Sequence, residues 1–210
     1  MQHGSLYVVD PTSTLHTIDP ATASPRTVGP VGVGQVTDIA FHGPTLYGIT
    51  FSQLFRLDPA TGAGTPIGPI GFSTNGLAAA DDGALLAGTT NGELVRIDPT
   101  TGAGTLVGSF GGGLTSSGDL AFDSNGVLFG TLDQAGQVVL ATIDRPTGAA
   151  TPIGPTGVAH VYGLAFHCCR LLGCTDAGEL VELNVATGAA TVIGRNTLTH
   201  WGMAVGPCRC

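Results

Sequence analysis

The stretch Arg56–Gly68, RLDPATGAGTPIG, reads as the end of one strand, a turn, and the start of another strand. Asp58 offers a short side chain that accepts backbone hydrogen bonds, proline fixes φ, and Gly62 supplies the positive φ that completes the turn. The same wording returns as TIDPATASPRTVG, RIDPTTGAGTLVG, TIDRPTGAATPIG and ELNVATGAATVIG. With the residue before the turn as marker, Asp19, Asp58, Asp98, Asp144 and Asn184 lie 39, 40, 46 and 40 residues apart. Such a period signals a repeat architecture. A segment used five times is a structural joint. Asn184 agrees with this, because an amide oxygen can form the same turn without a carboxylate.

Each unit carries four short strand candidates parted by Gly, Pro, Asn or Asp. In one unit these are DIAF (38–41), LYGIT (46–50), QLFRLD (53–58) and GTPIG (64–68). The first strand recurs as GLAA, DLAF, GLAF and GMAV, small and apolar, as expected of strands crowded around an axis. In the third, Leu54, Arg56 and Asp58 alternate with Phe55 and Leu57, which predicts two unequal faces.

The units are out of phase with the chain ends. The N-terminal side opens on a second strand, LYVV, and the C-terminal side supplies a lone first strand, GMAV, so together they make one more blade. Circular closure predicts an all-β, five-bladed β-propeller of four-stranded blades, with residues 1–210 as a single domain.

Composition narrows the function. The 210 residues include 34 glycines and 13 prolines, but regularly spaced apolar strands separate them, so the chain is expected to fold. Charged residues make up only 10%, all seven basic residues are arginine, and the net charge is −8. Nucleic acid is therefore not expected as a partner, since phosphate binding needs a concentrated basic surface. No apolar run is long enough for a membrane span, and MQHGSLYVVD has neither the basic start nor the apolar core of a signal peptide.

The repeat wording L-A-F, L-Y-G-I, L-F-R-L-D-P-A-T-G-A-G-T-P-I-G resembles secreted bacterial propeller repeats of the NHL and YVTN-type groups. That resemblance implies the propeller fold and an extracellular or cell-surface location. It implies no particular activity, because such propellers include binding scaffolds, enzymes and domains of no assigned function.

Function is sought where the repeats differ. Cys168 and Cys169 fall in the turn after the innermost strand of the last blade, and Cys208 and Cys210 just after that of the closing blade. Disulfides linking the two pairs would pin the C-terminal strand and point to an oxidising compartment. Four thiolates with His167 nearby form the metal alternative, but the spacing lacks a CxxC pair. No metal and no cofactor are expected. Cys174 aligns with Ile49 inside a strand and is expected as a buried free thiol.

The loops entering the innermost strands read VGQVTD, FSTNG, LTSSGD, VAHVYG and LTHWG. Only the last two carry large side chains, His160, Tyr162, His200 and Trp201, expected side by side at one end of the axis. Aromatic rings beside imidazoles suit a sugar ring or another flat ligand. The packing alternative is that Tyr162 and Trp201 plug the channel or cover a seam. Asp38 and Asp119 open two innermost strands and are expected to face the channel, with Asn75 as a possible companion. Paired carboxylates suggest glycosidase chemistry, yet the aligned positions hold Gly76, Gly163 and Gly202. Bonding to neighbouring backbone, or a bound water or cation, accounts for them more simply.

The sequence thus points to a noncatalytic recognition module with a carbohydrate or protein partner at the axial loops. A hydrolase using the channel carboxylates and a self-assembling surface protein are the alternatives.

Overall fold

A computed structural model describes residues 5–206. Twenty strands form five four-stranded antiparallel sheets set around an axis, a five-bladed β-propeller, and the described residues contain no helix. Blade one begins with β1 (Leu6–Val9), β2 (Thr14–Ile18) and β3 (Pro25–Pro30). Blade two holds β4 (Val36–His42), β5 (Thr45–Thr50), β6 (Gln53–Leu57) and β7 (Gly64–Pro69). Blade three holds β8 (Thr74–Ala79), β9 (Leu85–Thr89), β10 (Glu93–Ile97) and β11 (Gly104–Ser109). Blade four holds β12 (Thr115–Phe122), β13 (Leu128–Gln134), β14 (Gln137–Ile143) and β15 (Ala150–Pro155). Blade five holds β16 (Val161–His167), β17 (Arg170–Thr175), β18 (Glu179–Leu183) and β19 (Ala190–Arg195). Finally β20 (Gly202–Val205) completes blade one by pairing with β1, Leu6 opposite Val205 and Val9 opposite Gly202. The expected circular closure is present, and β4, β8, β12, β16 and β20 are the innermost strands.

Apolar residues sort into five cores, one per seam between neighbouring blades. The three inner strands of each blade therefore serve two cores, one with each face. In β6, Leu54 packs into the core between blades two and three, while Phe55 and Leu57 pack into that between blades one and two. The two faces are unequal, as expected: Phe55 and Leu57 are both buried, whereas on the other face Leu54 is buried and Arg56 and Asp58 reach solvent. Burying each such side chain contributes roughly 1.5–3 kcal/mol before entropy is set against it.

The joint behaves as its residues predict. Asp58 Oδ1 accepts the Ala60 N–H at 2.8 Å, and the Gly62 N–H donates to the Asp58 carbonyl at 2.7 Å with Gly62 at φ 84°. Asn184 Oδ1 accepts from Ala186 and Thr187 in the same way. The structure adds a second role. Each turn lies against the outermost strand of the preceding blade, so closely that a Cβ on Gly62 would stand 2.5 Å from the Gly29 carbonyl oxygen. Gly102 meets Gly68 in the same way, with 2.6 Å to its carbonyl oxygen, and Gly148 and Gly188 meet Gly108 and Gly154. Two residues on, the amides of Gly64, Gly104, Ala150 and Ala190 donate across the seam to the carbonyls of Val31, Ile70, Phe110 and Thr156 at 2.8–2.9 Å.

The fifth seam, where blade one meets blade five, departs from this pattern. Ala23 stands in the place of the turn glycine at φ 59° and packs against Gly194. Pro25 occupies the donor position and has no N–H to give. In its place the Asn196 side-chain amide donates to the Ala23 carbonyl at 2.9 Å.

Candidate functional site

At one end of the axis, the innermost strands carry bulges. Pairing of β4 with β5 passes from Val36 to Asp38, that of β8 with β9 from Thr74 to Gly76, and that of β16 with β17 from Val161 to Gly163. The residues left out of the ladder are Thr37, Asn75 and Tyr162. In β12 the irregularity runs from Ser116 to Leu120 and contains Gly118, while Trp201 immediately precedes β20. A bulge re-aims a side chain out of the alternating pattern. Here five equivalent places converge on one cup of about 200 Å³, lined by Thr37, Asn75, Gly118, Tyr162 and Trp201 together with Phe51.

Phe51 was not anticipated from the sequence. It sits between β5 and β6 and is 42% exposed. Its signal was available: LYGITF aligns with LLAGTT and LLGCTD, where Thr90 and Asp176 are polar.

Three of the expected ligand-binding residues line this cup. Tyr162 stacks on His160, ring centroids 5.3 Å apart and planes 9° from parallel, and His160 Nδ1 lies 2.7 Å from Asp176 Oδ2. Burial, and then the Asp176 charge, push the Tyr162 phenol above its ordinary range, so it remains protonated. Trp201 lines the cup and also leans on the core between blades one and two, and its backbone N–H donates to the Val9 carbonyl. Asn75 Nδ2 donates to the Ser116 carbonyl at 3.1 Å, and its Oδ1 is buried with no partner among the described residues.

His200 corrects the expectation placed on it. Trp201 lines the cup, whereas its neighbour His200 is wholly buried, both ring nitrogens without a hydrogen-bond partner among the described residues. Burial lowers its pKa to about 4, aided by nearby His16, so the ring is neutral near pH 7. It therefore cannot touch a ligand in the cup. Behind it His16 lies 3.2 Å from Asp10, a pairing the sequence did not disclose.

Below the cup lie Asp38 and Asp119, both fully buried. Asp38 accepts the Ile39 N–H at 2.7 Å on one oxygen and the Leu77 N–H of the next blade at 2.6 Å on the other. Asp119 repeats this with Leu120 at 2.5 Å and Leu164 at 2.7 Å. Both carboxyls thus bridge neighbouring blades through backbone amides. Glycine at the three equivalent positions leaves them room: a Cβ on Gly202 would come within 2.5 Å of Asp38 Oδ1. The two acids are close enough for each to act on the other's charge. Burial, followed by repulsion from Asp119, raises Asp38 well above the carboxylate range, and burial raises Asp119 to about 7. At neutral pH such a pair retains a proton. With every oxygen engaged by an amide and none exposed, the pair serves as a cross-brace, and general acid–base work on a substrate would require a carboxyl that can reach it.

Cys168 and Cys169 form the two-residue turn between β16 and β17, both at positive φ, 46° and 66°. This turn lies at the end of the axis opposite the cup. Their expected partners, Cys208 and Cys210, lie outside the described residues. Cys174 is a free, fully buried thiol whose pKa burial pushes upward, as its strand position predicts.

No protein-family model and no curated protein sequence matches the chain. Among solved structures, it is similar to a chain of the nidogen/laminin complex, with a TM-score of 0.66 and 12% identity over 98% of this chain and 82% of that one. It is also similar to the PQQ-bound aldose sugar dehydrogenase of Streptomyces coelicolor, with a TM-score of 0.58 and 18% identity over 90% and 76% of the two chains. At these identities the likeness is one of fold.

Proposed function

We propose that the chain is a noncatalytic recognition module that holds a compact group, either a small ligand or a side chain presented by a partner protein, in the axial cup. One observation carries this reading: a fivefold backbone aims five equivalent positions at one cavity, and these positions differ in every blade, as Thr37, Asn75, Gly118, Tyr162 and Trp201. Residues shared among blades serve the fold; residues at a common place that differ are where recognition is built. The rigid strands behind them give preorganisation, which saves ordering entropy on binding.

The test uses Trp201, the only tryptophan in the chain, as its own reporter. Compounds and glycans on an array are screened against the non-reduced protein, and hits are titrated by intrinsic fluorescence. Tyr162→Ala should weaken every hit by at least about tenfold, as expected for loss of a buried aromatic contact, while circular dichroism stays unchanged. Hits that bind Tyr162→Ala as tightly as the parent by fluorescence, and are retained by Trp201→Ala on the array, which needs no tryptophan signal, would move recognition away from the cup.

A further inference from the structure

Resting on that reading of the cup, we infer that its occupant is a protonated alkylamine, seated against Trp201, Tyr162 and Phe51 with an N–H directed at Asn75 Oδ1. The polar atoms decide the sign. The Ser116 carbonyl can only accept, so it fixes the Asn75 amide with Nδ2 toward itself and leaves the oxygen unpaired in a buried position. A buried acceptor without a partner is costly, and that cost is recovered when a donor arrives. Thr37 spends its proton on the carbonyls of Ile49 and Thr74 at 3.3 and 3.4 Å, so its oxygen too is left as an acceptor. At these two acceptors a ligand must bring the donors.

The surroundings favour that the donor be charged. Three aromatic rings line the cup, and the negative face of a π system attracts an ammonium group most strongly where water is excluded. One side of Tyr162 is already covered by His160, which leaves the other for the ligand. Neither lysine nor arginine lines the cup. Asp176 stands at the rim beside Tyr162, the Asp38–Asp119 pair lies beneath the floor, and the whole chain carries a net charge of −8. An anion would be repelled by this arrangement, and a neutral ring would forgo its electrostatic part.

The experiment is a fluorescence titration of the full chain at pH 7 with N,N-dimethylethanolamine, which is protonated there. The control is 3-methylbutan-1-ol, its neutral carbon isostere, and methyl glucosides form a third arm. Saturable binding of the amine, at least about tenfold tighter than the alcohol, is expected from a desolvated cation–π contact with a hydrogen bond. Asn75→Leu should bring the amine down toward the alcohol, with thermal melting followed to confirm the fold; Tyr162→Leu, which leaves Asn75 in place, should weaken the amine independently. Equal binding of amine and alcohol would overturn the inference. Saturation by a glucoside without the amine would overturn it and leave the cup as a ligand site. Saturation by none of the three would also overturn it, and the array screen above then decides the wider reading separately.

Discussion

Four of the five seams between blades are copies of one another, and the fifth is not. At the four, a turn glycine lies on a strand glycine and one backbone amide crosses to the preceding blade, so the contact is written in main chain and tolerates variation in side chains. Where blade one meets blade five, alanine replaces the glycine, proline removes the amide, and Asn196 supplies the crossing bond from its side chain. The unsatisfied His200 and the His16–Asp10 pair belong to the same closing blade or its approach. A ring built by repetition is thus completed by individual residues, and its closing joint should answer to single substitutions differently.

The largest effect is expected at a regular seam. Gly102→Ala places a methyl on a residue at φ 80° and 2.6 Å from the Gly68 carbonyl oxygen; urea denaturation should show a loss of about 2–4 kcal/mol from left-handed strain and overpacking. An unchanged midpoint would mean that the seam opens without cost.

His200→Val tests the other side of the comparison. Valine stands at the equivalent positions 36 and 161, and relief of two unsatisfied ring nitrogens should raise stability by about 1–3 kcal/mol. The pH dependence gives the sign. With a folded pKa of about 4 against an ordinary 6.5, the unfolded chain binds the proton more readily, so the His200 contribution is complete above pH 6.5 and is lost as pH falls toward 4, with a limiting slope of about 1.4 kcal/mol per pH unit. The Asp38–Asp119 pair acts oppositely. Its folded pKa values are raised, so its contribution is complete below about 4 and declines as pH rises through about 7. Melts of His200→Val across pH 4–7 should therefore show stability falling with pH more steeply than in the parent; a parallel profile would refute a neutral buried imidazole.

Smaller still, Asn196→Ala should cost about 1 kcal/mol, the net worth of one hydrogen bond, and should leave the four regular seams unaffected in hydrogen exchange. Ala23→Gly should change stability by less than about 1 kcal/mol, since relief of positive φ and the added freedom of the unfolded chain oppose each other. A large loss in either would show that the closing seam is held more tightly than its contacts indicate.

The repeating parts of this molecule were legible because they are local. DPATG declares its turn through residues a few places apart, and strand alternation needs no knowledge of a partner. The docking of that turn on the preceding blade was not legible, because the strand glycine it meets lies about one repeat away in sequence and nothing but close approach marks it. The cup was read in part. Tyr162, Trp201 and Asn75 stood out by breaking the repetition, whereas Thr37 resembled ordinary strand residues until a bulge re-aimed it. His200 defeats the sequence reading because it neighbours Trp201 in the chain yet is wholly buried, which adjacency alone does not reveal. The two carboxyls stand out in the sequence where aligned positions hold glycine, but which amides they accept depends on how neighbouring blades meet.

The pairing of Leu6 with Val205 also sets an order in time. The inner edge of β1 has to wait, unpaired, until residues 202–205 have been made, which makes this one of the longest-range pairings among the described residues. Blades two to five can assemble from neighbours as they emerge, while β1–β3 present an open strand edge throughout, the kind of surface that seeks other chains. Ring closure is therefore the step at which folding and misassembly compete, and a circular permutant cut between two regular blades would move that competition to a seam written in backbone.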